Sequence, residues 1–407
     1  MSPSFDFDRL VDRHGTASLK WDRYQGRDII PLWVADMDFA SPPAVIKALQ
    51  ARVEHGIFGY TLPPAALEEA VQTILKEDHG WEIKREWLTW IPGLVCGLNV
   101  TSRAVGGPGD GVLTFTPVYP PFLTAPALAG RTLATAPLRL GGNRWEMDLA
   151  AAERAIGPTT RLLLLCNPQN PTGRVWSEVE LLEVAALACR HDLIICSDEI
   201  HSGLVLDKNV RHIPMAALSP AIASRTITLN APSKTYNIPG LGCSFAVIPD
   251  SGLRRQFREA MNGIVPHVNL LGFTAAQAAY QEGGQWRSEL IDYLRGNAAM
   301  VQQAIDGMPG LHSVQVEATY LAWIDARQTG LENPAQFFEQ AGVGLSDGGP
   351  FGMPGFLRLN FGCRRELLAC ALKRMHAALA DHAGRQAEST SGMHEGDKGK
   401  IKKGIQP

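Results

Sequence analysis

Three short apolar runs constrain this chain most: R-L-L-L-L-C (161–166), L-I-I-C-S (193–197) and T-I-T-L (226–229), each followed by a polar loop. Runs of four to six apolar residues suit buried strands and are too short for core helices. Amphipathic stretches separate them. The stretch 177–191 reads as a helix, with Ser177 as N-cap and Glu180, three residues on, completing a capping box. Strands alternating with helices predict an α/β fold, a mostly parallel sheet covered by helices. In such sheets ligands gather beyond the carboxyl ends of the strands. The loops 167–173, 198–201 and 233–242 all fall on that edge and define a candidate site.

At 407 residues the chain exceeds what one core accommodates, since single cores stop growing near roughly 250–300 residues. The expected division is a large domain over 46–285, with a smaller α+β domain formed from 1–45 and 286–384. Residues 385–407 are polar and rich in Gly and Lys, too poor in apolar side chains to offset the entropy of ordering, and are expected to be a disordered tail. A formal charge of -3, with 19% charged residues, offers no excess of positive charge to attract nucleic acid. The first ten residues lack an apolar signal core, and no apolar run reaches the ~18 residues of a membrane span. A cytoplasmic protein is the expectation. Seven cysteines without a C-x-x-C pair read as reduced, mostly buried thiols rather than a metal or disulfide framework.

The chemistry-bearing residues lie in the loops. In A-P-S-K-T-Y-N-I-P-G-L-G (231–242), Lys234 stands at the mouth of the sheet, where an amine sheds its proton more easily than in water and can form an imine with an aldehyde. Taken alone, such a lysine is more often a solvated surface charge. In N-P-Q-N-P-T-G (167–173) a rigid turn presents the Asn170 amide, although Asn, Pro and Gly are also ordinary turn residues. In S-D-E-I-H (197–201), Asp198 follows a buried strand directly, and a sequestered carboxylate needs a cationic partner. A protonated pyridine nitrogen or an arginine would serve equally.

The ordered set N-P-Q-N-P-T-G, S-D-E-I-H, S-K-T-Y (233–236) and R-L-N-F-G-C (358–363) resembles the fold-type I pyridoxal-phosphate (PLP) enzymes, the aminotransferase class I/II superfamily, across nearly the whole chain. That resemblance implies a large PLP-binding domain with a seven-stranded type of sheet. It implies that Lys234 carries PLP as a Schiff base, Asp198 pairs with the pyridine nitrogen, Asn170 donates to the ring hydroxyl and Arg358 grips the substrate carboxylate. Ser233 and the backbone amides of Gly93, Leu94 and Val95, where P-G-L-V opens a helix, would bind the phosphate. Tyr119, in T-P-V-Y-P-P-F, matches the aromatic that stacks on the cofactor ring.

Within the superfamily, W-V-A-D-M-D-F (33–39) and E-H-G-I-F-G-Y-T (54–61) resemble the cystathionine or cysteine-conjugate β-lyase branch, often called MalY/PatB-type. In that branch Tyr60 reaches the phosphate of the neighbouring subunit, which implies a homodimer with shared sites. Aminotransferases of this fold usually carry a tyrosine three residues after the aspartate and an arginine eight after the lysine; His201 and Gly242 stand there instead. His201 is counted among the cofactor-binding candidates. The implied reaction is α,β-elimination from S-substituted cysteines such as L-cystathionine, with Lys234 as general base and Lys234 or Tyr119 protonating the leaving sulfur. Transamination uses the same grip and is the alternative. A non-catalytic interaction platform is a further reading, against which the intact Lys234, Asp198, Asn170 and Arg358 argue.

Overall fold

The computed structural model describes the backbone of residues 5–398 and the side chains of residues 5–385. Its centre is a sheet of eight strands: β1 (Leu88–Ile91), β2 (Gly111–Thr116), β3 (Thr132–Gly141), β4 (Arg144–Met147), β5 (Thr160–Cys166), β6 (Ile194–Asp198), β7 (Thr226–Asn230) and β8 (Ser244–Val247). They lie in the order β1-β8-β7-β6-β5-β2-β3-β4. The run β7, β6, β5, β2, β3 is parallel, whereas β8 is antiparallel to both β1 and β7. The expected sheet has seven strands. The eighth, β4, is a short antiparallel hairpin return on the overlong β3. Its turn is G-G-N (141–143), with Gly142 at φ +62, a left-handed conformation that glycine adopts at little cost.

The three apolar runs form β5, β6 and β7, and the reason they are continuous rather than alternating is visible in their packing. Leu163 and Leu165 enter one core beneath the helix Glu178–Arg190, while Leu162 and Leu164 enter the opposite core beneath the helix Leu94–Ala104. All four are at most 1% exposed. Each buried leucine of this kind contributes about 1.5–3 kcal/mol. The helix Glu178–Arg190 starts at the expected capping box: Ser177 Oγ accepts from Glu180 N at 3.4 Å, and Glu180 Oε2 accepts from Ser177 N at 2.8 Å.

A second sheet is built on the antiparallel pair Leu321–Asp325 and Phe356–Asn360, flanked by His312–Ser313 and Ser346–Asp347. The N-terminal segment joins this part of the molecule, because Ile30–Pro31 pairs in parallel with Val343–Gly344. One apolar core runs from Phe7, Leu32 and Val45 through the helix Gly284–Asp306 to Leu359 and Met375. The last helix spans Arg365–Lys398, so its backbone continues into the segment expected to be disordered from 385 onward. No proline interrupts 365–398. The helix therefore keeps its hydrogen-bonding pattern through that polar stretch. Residues 399–407 of the expected tail lie outside the described residues.

Four of the seven free cysteines are buried (Cys166, Cys196, Cys243 and Cys363), Cys96 is half-buried, and Cys189 and Cys370 are exposed. Exposure of the last two departs from the expectation; both lie on helices, Glu178–Arg190 and Arg365–Lys398, at positions facing solvent. Among the described residues no helix is long and apolar enough to cross a membrane.

Candidate active site

The parallel strands β5, β6 and β7 end on one edge, and a cavity opens there. Ten of the eleven sequence candidates line it: Gly93, Leu94, Val95, Tyr119, Asn170, Asp198, His201, Ser233, Lys234 and Arg358. Asp198 is the last residue of β6 and sits level with Cys166 at the end of β5. One of its oxygens accepts from Ile200 N at 3.1 Å. Burial pushes its carboxyl up to about 7, with only a partial opposing pull from that backbone bond and from Lys234. No ion pair to Asp198 occurs among the described residues. The carboxylate is thus sequestered without the cation its position calls for.

Lys234 lies on the turn after β7, tied by Tyr236 N to Pro232 O (2.9 Å) and Ile238 N to Ser233 O (3.0 Å). Its Nζ donates to the Ala35 carbonyl at 2.5 Å. Burial lowers the amine to about 8, and the Arg358 charge adds to this while Asp36 and Asp198 oppose it. Roughly a tenth of the amine is therefore unprotonated at pH 7, far more than for a solvated lysine, and that is the form that attacks an aldehyde.

Arg358 comes from the strand Phe356–Asn360 of the second sheet. Its Nη2 donates to Trp33 O (2.9 Å) and its Nη1 to Asn170 Oδ1 (3.0 Å), and its guanidinium lies 4.7 Å from the Phe351 ring centroid. Nε is buried without a partner. Burial lowers the guanidinium to about 10. Because Asn170 Oδ1 is occupied by Arg358, the amide nitrogen of Asn170 is the part of that side chain left to donate elsewhere. Asn170 O in turn accepts from Tyr119 N at 3.0 Å, which sets Tyr119 against the same cavity.

His201 is only 2% exposed, and its Nδ1 has no hydrogen-bond partner. Burial, then the charges of Lys234 and Arg358, depress it to about 3, so the imidazole is neutral. Also on the cavity wall, Gly93 is the N-cap of the helix Leu94–Ala104 and supplies no side-chain cap. The first amides of that helix are therefore available to an anion. Gly242 also lines the cavity, at φ +58, and a Cβ there would lie 3.3 Å from Pro92 O. The backbone itself disfavours the arginine that aminotransferases usually carry there.

Tyr60 is the exception. It is fully exposed and lies in a separate depression with Phe58, Leu62, His267 and Asn269, on the irregular segment between the helices Pro43–Glu54 and Ala65–His79. Three contributors were not singled out from the sequence: the carbonyls of Trp33 and Ala35, and Tyr320, whose hydroxyl donates to Ala35 O at 2.9 Å. Backbone acceptors leave no trace in residue type. The motif 33–39 was the available signal.

Residues 27–375 match the sequence profile of the class I and II aminotransferases. The chain belongs to that family. Among its relatives, cystathionine beta-lyase PatB of Bacillus subtilis is 38% identical, over 92% of this chain and the whole of that protein. A solved structure described as OvoB is 48% identical with a TM-score of 0.91, covering 92% of this chain and 99% of that one. Cystalysin from Treponema denticola, solved with a pyridoxal 5'-phosphate cofactor, is 31% identical with a TM-score of 0.89, covering 93% and 99%. The cofactor of this class I and II aminotransferase-family chain is pyridoxal 5'-phosphate. The donor set fits it: a buried carboxylate lacking a cation, an amine of lowered basicity, a free amide donor and an uncapped helix N-terminus share one cavity.

Proposed function

We propose that this chain is a PLP-dependent carbon–sulfur β-lyase that cleaves L-cystathionine or other S-substituted L-cysteines to a thiol, pyruvate and ammonia. The observation that carries the chemistry is Asp198, a buried carboxylate without a cationic partner, sharing a cavity with the Lys234 amine and the Arg358 guanidinium. The name of the relative PatB supports elimination over transamination.

When bound, PLP supplies an aldehyde and a ring that withdraws electrons from the substrate Cα. Lys234 Nζ is the amine that would hold the aldehyde, and the same amine would serve as base for the α-proton. Asp198 would pair with a protonated pyridine nitrogen, and its burial would make that pairing strong. Arg358 receives the substrate carboxylate in a bidentate fork, oriented by Trp33 O and Asn170 Oδ1. Asn170 Nδ2 would donate to the ring hydroxyl, and neutral His201 lines the same cavity without adding charge. Tyr119 would cover the ring, while Ser233 and the amides of Gly93, Leu94 and Val95 would take the phosphate. Lys234 or Tyr119 returns a proton to the departing sulfur.

The assembly we propose is a homodimer in which Tyr60 completes the neighbour's phosphate site. Its support is the apolar surface around it: Ile57, Phe58 and Leu62 are 65%, 60% and 80% exposed. The seven free thiols suit a reducing compartment, in line with a cytoplasmic location.

Incubation with L-cystathionine and no oxo acid tests the function. Sustained release of thiol and pyruvate is expected. A single turnover that revives only on adding 2-oxoglutarate would assign the chain to transamination instead.

A further inference from the structure

The segment 33–37 crosses the cavity, and side chains occupy its carbonyls one after another. Trp33 O accepts from Arg358 Nη2 at 2.9 Å, and Val34 O from Asn360 Nδ2 at 2.6 Å. Ala35 O accepts from both Lys234 Nζ (2.5 Å) and the Tyr320 hydroxyl (2.9 Å), and Asp36 O accepts from Asn360 Nδ2 at 2.8 Å. The amine and the guanidinium assigned to catalysis and substrate binding are thus hung on one stretch of backbone, two residues apart. The chain there is tight rather than extended, since Asp36 N donates to Val34 O at 3.1 Å.

Tyr320 is 1% exposed and precedes the strand Leu321–Asp325. Its ring is walled by His201, edge-on with centroids 6.3 Å apart. Its hydroxyl donates to the same carbonyl oxygen that holds the lysine. We propose that Tyr320 is a positioning residue for Lys234: its hydroxyl pins the Ala35 carbonyl, and that carbonyl holds the lysine amine whenever the amine is not joined to the cofactor. The proposal rests on the reading of Lys234 as the cofactor lysine.

The physical need is clear from the lysine itself. A freed amine on a flexible four-carbon stem explores many rotamers, and a fixed acceptor beside the reacting carbon confines it. Arg358 is held through Trp33 O and Asn170 rather than through Tyr320, so loss of the pin leaves the carboxylate grip in place. The competing explanation is that Tyr320 merely satisfies a buried hydroxyl, as buried tyrosines ordinarily do. That explanation moves stability but not the reactivity of Lys234.

The test is Tyr320→Phe, which removes one oxygen and keeps the ring. In the holoenzyme, kcat on an S-substituted cysteine is expected to fall about tenfold with KM within about twofold, the loss of one ordinary hydrogen bond's worth of positioning. In the cofactor-free variant, imine formation with added PLP, followed by visible absorbance, is expected to be several-fold slower. The final spectrum should match wild type. Unchanged kcat and unchanged imine formation in a folded variant would overturn the proposal, as would a rise in KM alone. Should the variant not fold, a crystal structure of the wild-type holoenzyme with an unreactive amino acid bound decides. The freed Nζ on Ala35 O, with Tyr320 on the same oxygen, supports the proposal; Nζ bonded elsewhere overturns it. If borohydride fails to fix PLP on Lys234 in wild type, the functional reading itself fails. Normal labelling with a silent Tyr320→Phe sinks only the positioning role.

Discussion

Arg358 and Asn170 are hydrogen-bonded across the two sheets, Nη1 to Oδ1 at 3.0 Å, so the residue assigned to the substrate carboxylate also orients the residue assigned to the cofactor ring. The amide of Asn170 has one acceptor, and Arg358 uses it. Arg358→Lys keeps the charge but loses the fork. A charge-assisted hydrogen bond of about 1.5–3 kcal/mol corresponds to a rise in KM of roughly 10- to 150-fold. Steady-state kinetics check this, with the visible absorbance of the bound cofactor expected to persist.

Asp198 makes cofactor-free protein sensitive to pH in a direction that can be derived. Its folded pKa of about 7 lies above the ordinary 3.8. The folded state therefore holds its proton where the unfolded state has lost it, and stability falls as pH rises from about 4 through about 7. The cost reaches on the order of 2–4 kcal/mol above that window. Thermal melts of cofactor-free wild type and Asp198→Asn should diverge between pH 5 and 7.5 in favour of the variant, which should also lose nearly all lyase activity with PLP.

Glu317 is one of the links between the large sheet's loops and the second sheet. Its Oε2 accepts from Arg174 Nη1 and Val175 N, each at 2.8 Å, and its Oε1 from Arg144 Nε at 3.0 Å. Arg174 is only 3% exposed, and Glu180 is its other ionic partner. Glu317→Ala removes one of the two ionic partners of Arg174 and the acceptor of Val175 N, while Glu180 and the Trp145 and Val175 carbonyls still hold the guanidinium, and a loss of about 1–3 kcal/mol is expected in denaturant unfolding. The isosteric Glu317→Gln should lose less.

Much of the fold and the site is legible in the amino-acid sequence, and the reasons differ by element. The strands β5 to β7 and the Ser177 capping box announce themselves because burial on both faces demands continuous apolar runs and because caps use few residue types. Asn170, Asp198, His201, Ser233 and Lys234 share one cavity because chain topology delivers successive loops to one sheet edge, whereas Gly93, Leu94, Val95, Tyr119 and Arg358 are reached only through the family resemblance. The hairpin strand β4 was missed although G-G-N at 141–143 is a turn signal, because a four-residue strand with one buried position carries little periodicity. The carbonyls of 33–36 are not individually legible because a backbone acceptor is the same atom in every residue, and Tyr320, whose side-chain hydroxyl donates to one of them, stands outside every motif.

Shared sites have a quantitative consequence. Lys234→Ala and Tyr60→Ala subunits should each be inactive or nearly so as homodimers. Refolded together in equal amounts, half the dimers are hybrids with one site of two intact, so about a quarter of wild-type activity should appear if Tyr60 acts across a two-fold interface. Absence of any recovery, with hybrids verified by native mass spectrometry, would place Tyr60 outside the neighbouring site.

The imine at position 234 is the central claim, and borohydride reduction of the holoprotein followed by peptide mass spectrometry tests it most directly. The expected result is a single reduced pyridoxyl adduct on Lys234, with the visible band abolished. An adduct on another lysine, or none in protein that shows the band, would contradict the account.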